Sequence, residues 1–262
     1  MLSARPRCLF PSNYTSLPFS TTLTCRSARL SVWNLKPKSH FPQNHGIRSF
    51  TIGNTSSRRK RIVVAVTGAT GAPLAVSLLQ RLRVLGVETH LILSTWGSST
   101  LKYELSAPNN TAQYLKSLAD TSYSPKDVSA SLSSGSFQTD GMIVVPCSMK
   151  TLAGIRIGYD NDLITRAASV TLKERRKLVL VARETPLSSI HLENMLEVTK
   201  AGAVIFPPVM AFYTRPKCVE DMVQQSVRRM VDCLEIGTEE HDTEQGRWTG
   251  FKWNQKNDEG GA

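Results

Sequence analysis

Two stretches of the chain gather hydroxyls, glycines and a cation where a buried apolar run gives way to a helical pattern. They are Thr67-Gly68-Ala69-Thr70-Gly71 and Pro146-Cys147-Ser148-Met149-Lys150-Thr151. A glycine-rich turn at a helix start leaves backbone N–H groups without partners. Together with the helix dipole, these make a site for an anion such as a phosphate. The second stretch follows the same logic, with Ser148 and Thr151 adding hydroxyls, although ordinary N-capping by Ser148 accounts for it as well.

The glycine stretch lacks the third glycine of a dinucleotide fingerprint. The next apolar run ends in Ser94, not in an acid that would hold a ribose 2′-OH. A mononucleotide such as FMN fits better than NAD; a tight strand-to-helix turn with no ligand is the alternative. Tyr213-Thr-Arg-Pro-Lys217 matches the string of a short-chain dehydrogenase, but Pro216 forces Arg215 out of helical geometry and excludes that reading. Ser188-Ser189-x-His191 is not a hydrolase triad, because no Gly-x-Ser-x-Gly elbow exists; Ser189 reads as a helix cap. Cys147 reads as a small buried hydrophobe.

Arg166 and Lys173 stand seven residues apart and project from nearly one helix face. A solvated helix end accounts for Arg175 and Arg176 beside them, and less well for Arg166. Arg183-Glu184 directly follows a buried run, an unlikely place for idle surface charge.

The elements that must position these groups alternate in type. Strands are predicted at Ile62–Val66, Thr89–Leu93, Met142–Val145 (broken by Pro146), Leu178–Ala182 and Ala203–Phe206. Helices are predicted at Pro73–Leu85, Trp96–Leu105, from Met149, at Asp162–Arg176, Ser189–Lys200 and Lys217–Ile236, with a short one near Thr111–Ala119 in the polar stretch 106–140. The alternation implies a three-layer α/β/α domain on a parallel sheet, with ligands beyond the C-terminal strand ends. Residues 58–236 form that domain, and 237–262 a polar tail.

The formal charge of +11 belongs to the leader. Residues 1–61 hold eleven Lys or Arg and no acid, leaving 32 − 11 = 21 basic against 21 acidic residues in the rest. A neutral body argues against an electrostatic nucleic-acid binder. Residues 1–57, rich in Ser, Thr, Pro and Arg, read as an organelle transit peptide, preferably for the mitochondrial matrix; a plastid address or a merely disordered basic tail are the alternatives. No apolar run approaches the ~18 residues of a membrane span. Cys147, Cys218 and Cys233 form no Cys-x-x-Cys pair, and His90, His191 and His241 are scattered, so no metal is expected.

Taken in order, Val66-Thr-Gly-Ala-Thr-Gly-Ala72, Pro146-Cys-Ser-Met-Lys-Thr-Leu152, Arg166-Ala-Ala168, Leu172-Lys-Glu-Arg-Arg176, Arg183-Glu-Thr-Pro186, His191-Leu-Glu-Asn-Met195, Ala211-Phe-Tyr213 and Arg247-Trp248 closely resemble the UbiX-like flavin prenyltransferases, a group of homo-oligomeric flavoproteins. The resemblance implies a Rossmann-like or flavodoxin-like subunit assembled as a dodecamer. It implies that reduced FMN is alkylated by a dimethylallyl phosphate, at flavin N5 and then C6, without a metal. The product, prenylated FMN, would serve a UbiD-type decarboxylase.

Carried over by position, the resemblance implies FMN contacts at Gly68, Ala69, Thr70, Ser94, Ser148, Met149, Lys150, Thr151 and Arg183. Thr70 stands where the family commonly has Ser. The prenyl phosphate would be held by Lys173, Tyr213 and Arg229, with Arg166 and Glu104 lining the pocket. Glu184 resembles the proton-transfer group and Trp248 a lid aromatic. The rivals are an FMN-dependent decarboxylase of a cysteine or aromatic acid and a flavin-binding subunit without chemistry. Relatives of the cysteine-decarboxylase type rely on a His after the first strand–helix unit, and none occurs between Gly71 and Glu88.

Overall fold

The apolar runs become the strands of one parallel sheet. The computed structural model of the chain describes residues 58–236 and Gly250; the expected leader (1–57) and nearly all of the tail, Trp248 included, lie outside the described residues. In chain order the elements are β1 Arg61–Val66, α1 Ala72–Val84, β2 Glu88–Leu93, α2 Thr95–Glu104, α3 Ala112–Ser117, β3 Thr121–Tyr123, β4 Gly141–Cys147, α4 Met149–Ile157, α5 Leu163–Lys173, β5 Lys177–Ala182, α6 Ser189–Lys200, β6 Val204–Ile205 and α7 Val219–Cys233. Ser131–Ser133 and Phe212–Thr214 form short 3₁₀ turns.

The strands pair in the order β3-β2-β1-β4-β5-β6, all parallel. The order reverses between β1 and β4, so their C-terminal ends form the crevice in which such sheets bind ligands. Both faces are covered. Ile62, Val64 and Val66 pack with Leu78, Leu82, Val227 and Met230 of α1 and α7. Val63 and Ala65 face the opposite layer, with Leu152, Leu163, Ala168 and Val198 of α4, α5 and α6. This two-sided burial is why the strands read as continuous apolar runs.

One added strand and three boundaries are the departures from expectation with a clear local reason. β3 was not expected: it is a three-residue edge strand pairing only with β2, too short and polar to show a period. β4 runs through Pro146 to Cys147, because the missing N–H of Pro146 coincides with a register shift between Val144 and Cys147. α5 stops at Lys173 because Arg175 turns left-handed (φ 57°). There Arg175 N–H donates to the Leu172 carbonyl at 3.0 Å and Arg176 N–H to the Thr171 carbonyl at 2.9 Å, a Schellman closure. α7 starts at Val219, since Asp221 accepts from the N–H groups of Lys217 (2.8 Å) and Cys218 (3.3 Å) and caps the helix there.

Arg176 is therefore not a solvated cation at a helix end. Its guanidinium donates to the carbonyls of Phe137 (3.0 Å) and Gly135 (2.7 Å), tying the 135–139 loop to the start of β5. The cap of α6 is Ser188, not Ser189: its hydroxyl accepts from His191 N–H at 3.3 Å and His191 Nδ1 accepts from Ser188 N–H.

Candidate active site

The crest of the β1/β4 crevice is organised around Thr67, a buried residue at the end of β1. Its hydroxyl donates to the Pro146 carbonyl at 2.8 Å and accepts from Ser148 N–H at 2.8 Å, binding the two expected loops together. Beside them Ser94 caps α2 by accepting from Gly97 N–H at 2.9 Å, and Ser148 caps α4 by accepting from Thr151 N–H at 3.4 Å. The first two N–H groups of each helix, at Thr95 and Trp96 and at Met149 and Lys150, keep no protein acceptor among the described residues. Two helix N-termini thus converge on one crevice.

That crevice is a cavity of about 490 Å³, within the range of small-molecule sites. Gly68, Ser94, Ser148, Lys150 and Thr151 line it, as expected from the sequence. Ala69, Thr70, Met149 and Arg183 do not, and Thr70 is exposed. The structure adds lining that sequence reading missed: Trp96 of α2, Tyr159 and Asp162 from the α4–α5 connection, and Thr165 from the first turn of α5. Strand ends directed attention to the loops that follow strands, and this connection follows a helix. A Cβ at Gly68 would collide with Cβ of Trp96, so this glycine is required by close approach.

The N-terminus of α1 is not an open anion site. The Glu104 carboxylate, from the end of α2, accepts from Gly71 N–H at 2.8 Å and Ala72 N–H at 2.7 Å. Pro73 has no N–H, and Leu74 N–H donates to the Gly71 carbonyl at 3.0 Å. Glu104 thus takes the last N–H group of the glycine turn and the first of α1, while the Gly68 and Thr70 N–H groups keep no protein acceptor among the described residues; α2 and α4 remain the helix starts that face the cavity.

The other expected residues divide by place. Arg183 and Glu184 follow β5 at the same sheet edge and are exposed; Glu184 accepts from Thr185 N–H at 3.0 Å. Tyr213 lies on its 3₁₀ turn against α7, where Gln225 Nε2 donates to its hydroxyl at 3.4 Å. Arg229 follows Gln225 by one helical turn and pairs with Asp232 at 2.7 Å, so Tyr213 and Arg229 share a face of α7. Arg166 pairs with Asp160 at 3.1 Å and donates to the Ser133 carbonyl at 3.2 Å.

Lys173 is not brought to this cavity. Thr165 lines it near the start of α5, and Lys173 lies eight residues on, about 12 Å along the helix toward the starts of the strands. There it binds Glu174, whose carboxyl it holds below the usual range.

Cys147 is fully buried and its thiol is pushed up to about 12 by loss of solvation, so it supplies no nucleophile. Among the described residues no group of three or more His, Cys, Asp or Glu is placed to hold a metal ion. No described helix is long and apolar enough to cross a membrane.

Comparison with known proteins agrees with this geometry. Residues 51–235 match the Flavoprotein family model. The chain is 53% identical over 246 residues to the flavin prenyltransferase PAD1, mitochondrial, of Saccharomyces cerevisiae, covering 93% of this chain and 98% of that protein. It is 56% identical to AnUbiX (PadA1), solved in complex with FMN and dimethylallyl pyrophosphate. That match has a TM-score of 0.70 over 74% of this chain and 100% of the other. A dodecameric FMN-dependent UbiX-like decarboxylase from Escherichia coli O157:H7 is 51% identical, with a TM-score of 0.67 over 72% and 100%. Sequence and structure agree over the same six-stranded body, and the chain belongs to the flavoprotein family, among its UbiX-like flavin prenyltransferases.

Proposed function

We propose that the chain transfers a dimethylallyl group from dimethylallyl phosphate to N5 and C6 of reduced FMN, releasing phosphate and giving prenylated FMN for a UbiD-type decarboxylase. The observation that carries this reading is the crevice where α2 and α4 both start, in a chain 56% identical to a protein solved with FMN and dimethylallyl pyrophosphate. Its residues suit FMN: a glycine that admits close approach, hydroxyls at Ser94, Ser148 and Thr151, and unpaired N–H groups for a phosphate. FMN supplies the nucleophilic ring carbon and nitrogen; the protein orients the partners and meets the charge that leaves.

An allylic phosphate departs readily only if its growing negative charge is met by fixed donors, each worth on the order of 10²–10³ in rate. Lys173, Tyr213 and Arg229 take that role in this reading, Arg166 and Glu104 shape the pocket, and Glu184 moves the proton. Trp248 would close over the site and exclude water. Because Lys173 lies at the far end of α5 from its own crevice, it serves the crevice of a neighbouring copy in a homododecamer. The basic leader and the mitochondrial yeast relative support a mitochondrial location, in the matrix.

Mass spectrometry of the flavin after anaerobic incubation of reduced FMN with dimethylallyl mono- or diphosphate tests the reading. A gain of one C5 unit is expected, and unmodified flavin with both donors overturns it. The second reading, direct FMN-dependent decarboxylation, is suggested by the Escherichia coli relative, described as an FMN-dependent UbiX-like decarboxylase; it requires CO₂ release from an aromatic acid with no prenyl donor present.

A further inference from the structure

In a parallel pair, a residue's N–H donates to one neighbour on the facing strand and its carbonyl accepts from the residue two further on. Thr67 keeps the first half of that pattern: its N–H donates to the Pro146 carbonyl at 3.2 Å. The second half is changed. The Thr67 carbonyl turns away from β4 and accepts from Ala69 N–H at 3.0 Å, which starts the glycine turn. Ser148 N–H, which the carbonyl would otherwise receive, is taken at 2.8 Å by the Thr67 hydroxyl. That hydroxyl spends its own proton on the Pro146 carbonyl at 2.8 Å.

One side chain thus substitutes for a rung of the ladder, at the point where the sheet order reverses and the extra residue in β4 breaks its register. We infer that Thr67 is a positioning residue for flavin binding. Its hydroxyl frees the β1 backbone to form the glycine loop while holding that loop at a fixed separation from the Ser148 loop. The inference rests on the reading of this crevice as the FMN site. Thr67 borders the cavity, but its hydroxyl is spent on the two loops it joins, and no second group does the same work: Pro146 has no N–H, and Ser148 N–H has no other acceptor among the described residues.

The test is titration of oxidised FMN, followed by flavin fluorescence, into the intact wild-type oligomer, Thr67→Val, Thr67→Ala and Thr67→Ser, well below each thermal midpoint. Removing the hydroxyl leaves the part-buried Ser148 N–H without its acceptor and unties the two loops, and the dissociation constant is expected to rise roughly tenfold or more in Val and Ala while Ser stays within about threefold. In turnover, KM for FMN should rise in the hydroxyl-free variants while KM for the prenyl phosphate holds, a split that general loss of stability does not produce. FMN binding by Thr67→Val or Thr67→Ala within twofold of wild type overturns the inference. So does loss of affinity in Thr67→Ser, the arm that decides should the other two fail to fold. Wild-type protein that binds no FMN overturns the reading of the site itself, and this inference with it.

Discussion

The Glu104 carboxylate closes the N-terminus of α1, accepting from Gly71 N–H at 2.8 Å and Ala72 N–H at 2.7 Å across thirty-odd residues of chain. It joins the end of α2 to the start of α1, and an acid at a helix start also opposes the dipole favourably. Gly71 has φ 129°, where a side chain is strained, so the glycine and the acid together shape the turn.

Replacing Glu104 should therefore act on stability in a graded way. Glu104→Gln keeps an acceptor and loses the charge, costing about 0.3–1 kcal/mol. Glu104→Ala leaves two N–H groups bare, costing about 1–2 kcal/mol by analogy with lost caps. Denaturant melts should give the order wild type, Gln, Ala. In addition, inorganic phosphate should raise the melting temperature of Glu104→Ala more than that of wild type, because the emptied helix start becomes an anion site. Equal phosphate shifts in the two proteins would contradict the assignment.

Gly68 gives a second prediction. Gly68→Ala places a Cβ against Cβ of Trp96, an atom that every residue but glycine carries. Trp96→Ala should consequently fail to rescue Gly68→Ala, either in melting temperature or in FMN binding. Overpacking of this kind costs about 1–3 kcal/mol. Rescue by Trp96→Ala would show that the indole ring, not the close backbone approach, sets the requirement.

A third prediction concerns pH. Hydrogen bonds from Arg61 at 2.8 Å and 3.0 Å hold the Glu88 carboxyl below its ordinary 4.5, with His90 Nε2 adding a contact at 2.9 Å. A carboxyl whose folded value is depressed contributes stability above its unfolded value and loses it as pH falls through the folded one. Both side chains are only about a fifth to a quarter exposed. Glu88→Gln should thus be less stable than wild type by about 1 kcal/mol at neutral pH. The difference should shrink below pH 4.5 and vanish in stronger acid. A pH-independent difference in urea midpoints would assign the effect to packing.

What the sequence made legible follows burial and chain order. Runs such as Ile62–Val66 and Leu178–Ala182 declare strands because both faces of the sheet are covered, and the loops that follow β1, β2 and β4 fall at the crest as expected. Three things were hidden. β3 depends on pairing with β2 and has no period of its own. Occupation of the α1 start by Glu104 depends on a contact between residues more than thirty apart, which spacing alone does not reveal. The bridging role of Thr67 depends on which way its carbonyl turns. Residue type marked where a phosphate could sit; tertiary contact decided which helix start remained open to it.

Lys173 carries the last prediction, because its place on α5 separates two arrangements of the site. Lys173→Met should abolish prenyl transfer and leave FMN bound, since the lysine lies about 12 Å along α5 from the cavity wall at Thr165. Glu184→Gln should also lose turnover, at the crest end of the chain. If Lys173 serves a neighbour, oligomers assembled from both variants contain crevices where an intact Glu184 meets an intact Lys173 from another copy. Activity should then recover in the mixture, measured as prenylated FMN formed per flavin site after co-expression or after unfolding and joint refolding. If each lysine served its own chain, no crevice in the mixture would hold both groups, and the mixture would stay as inactive as its parents. Recovery therefore identifies assembly as a condition of catalysis, and its absence would mean that each lysine acts within its own chain; a fully active Lys173→Met would instead return Lys173 to a structural pairing with Glu174.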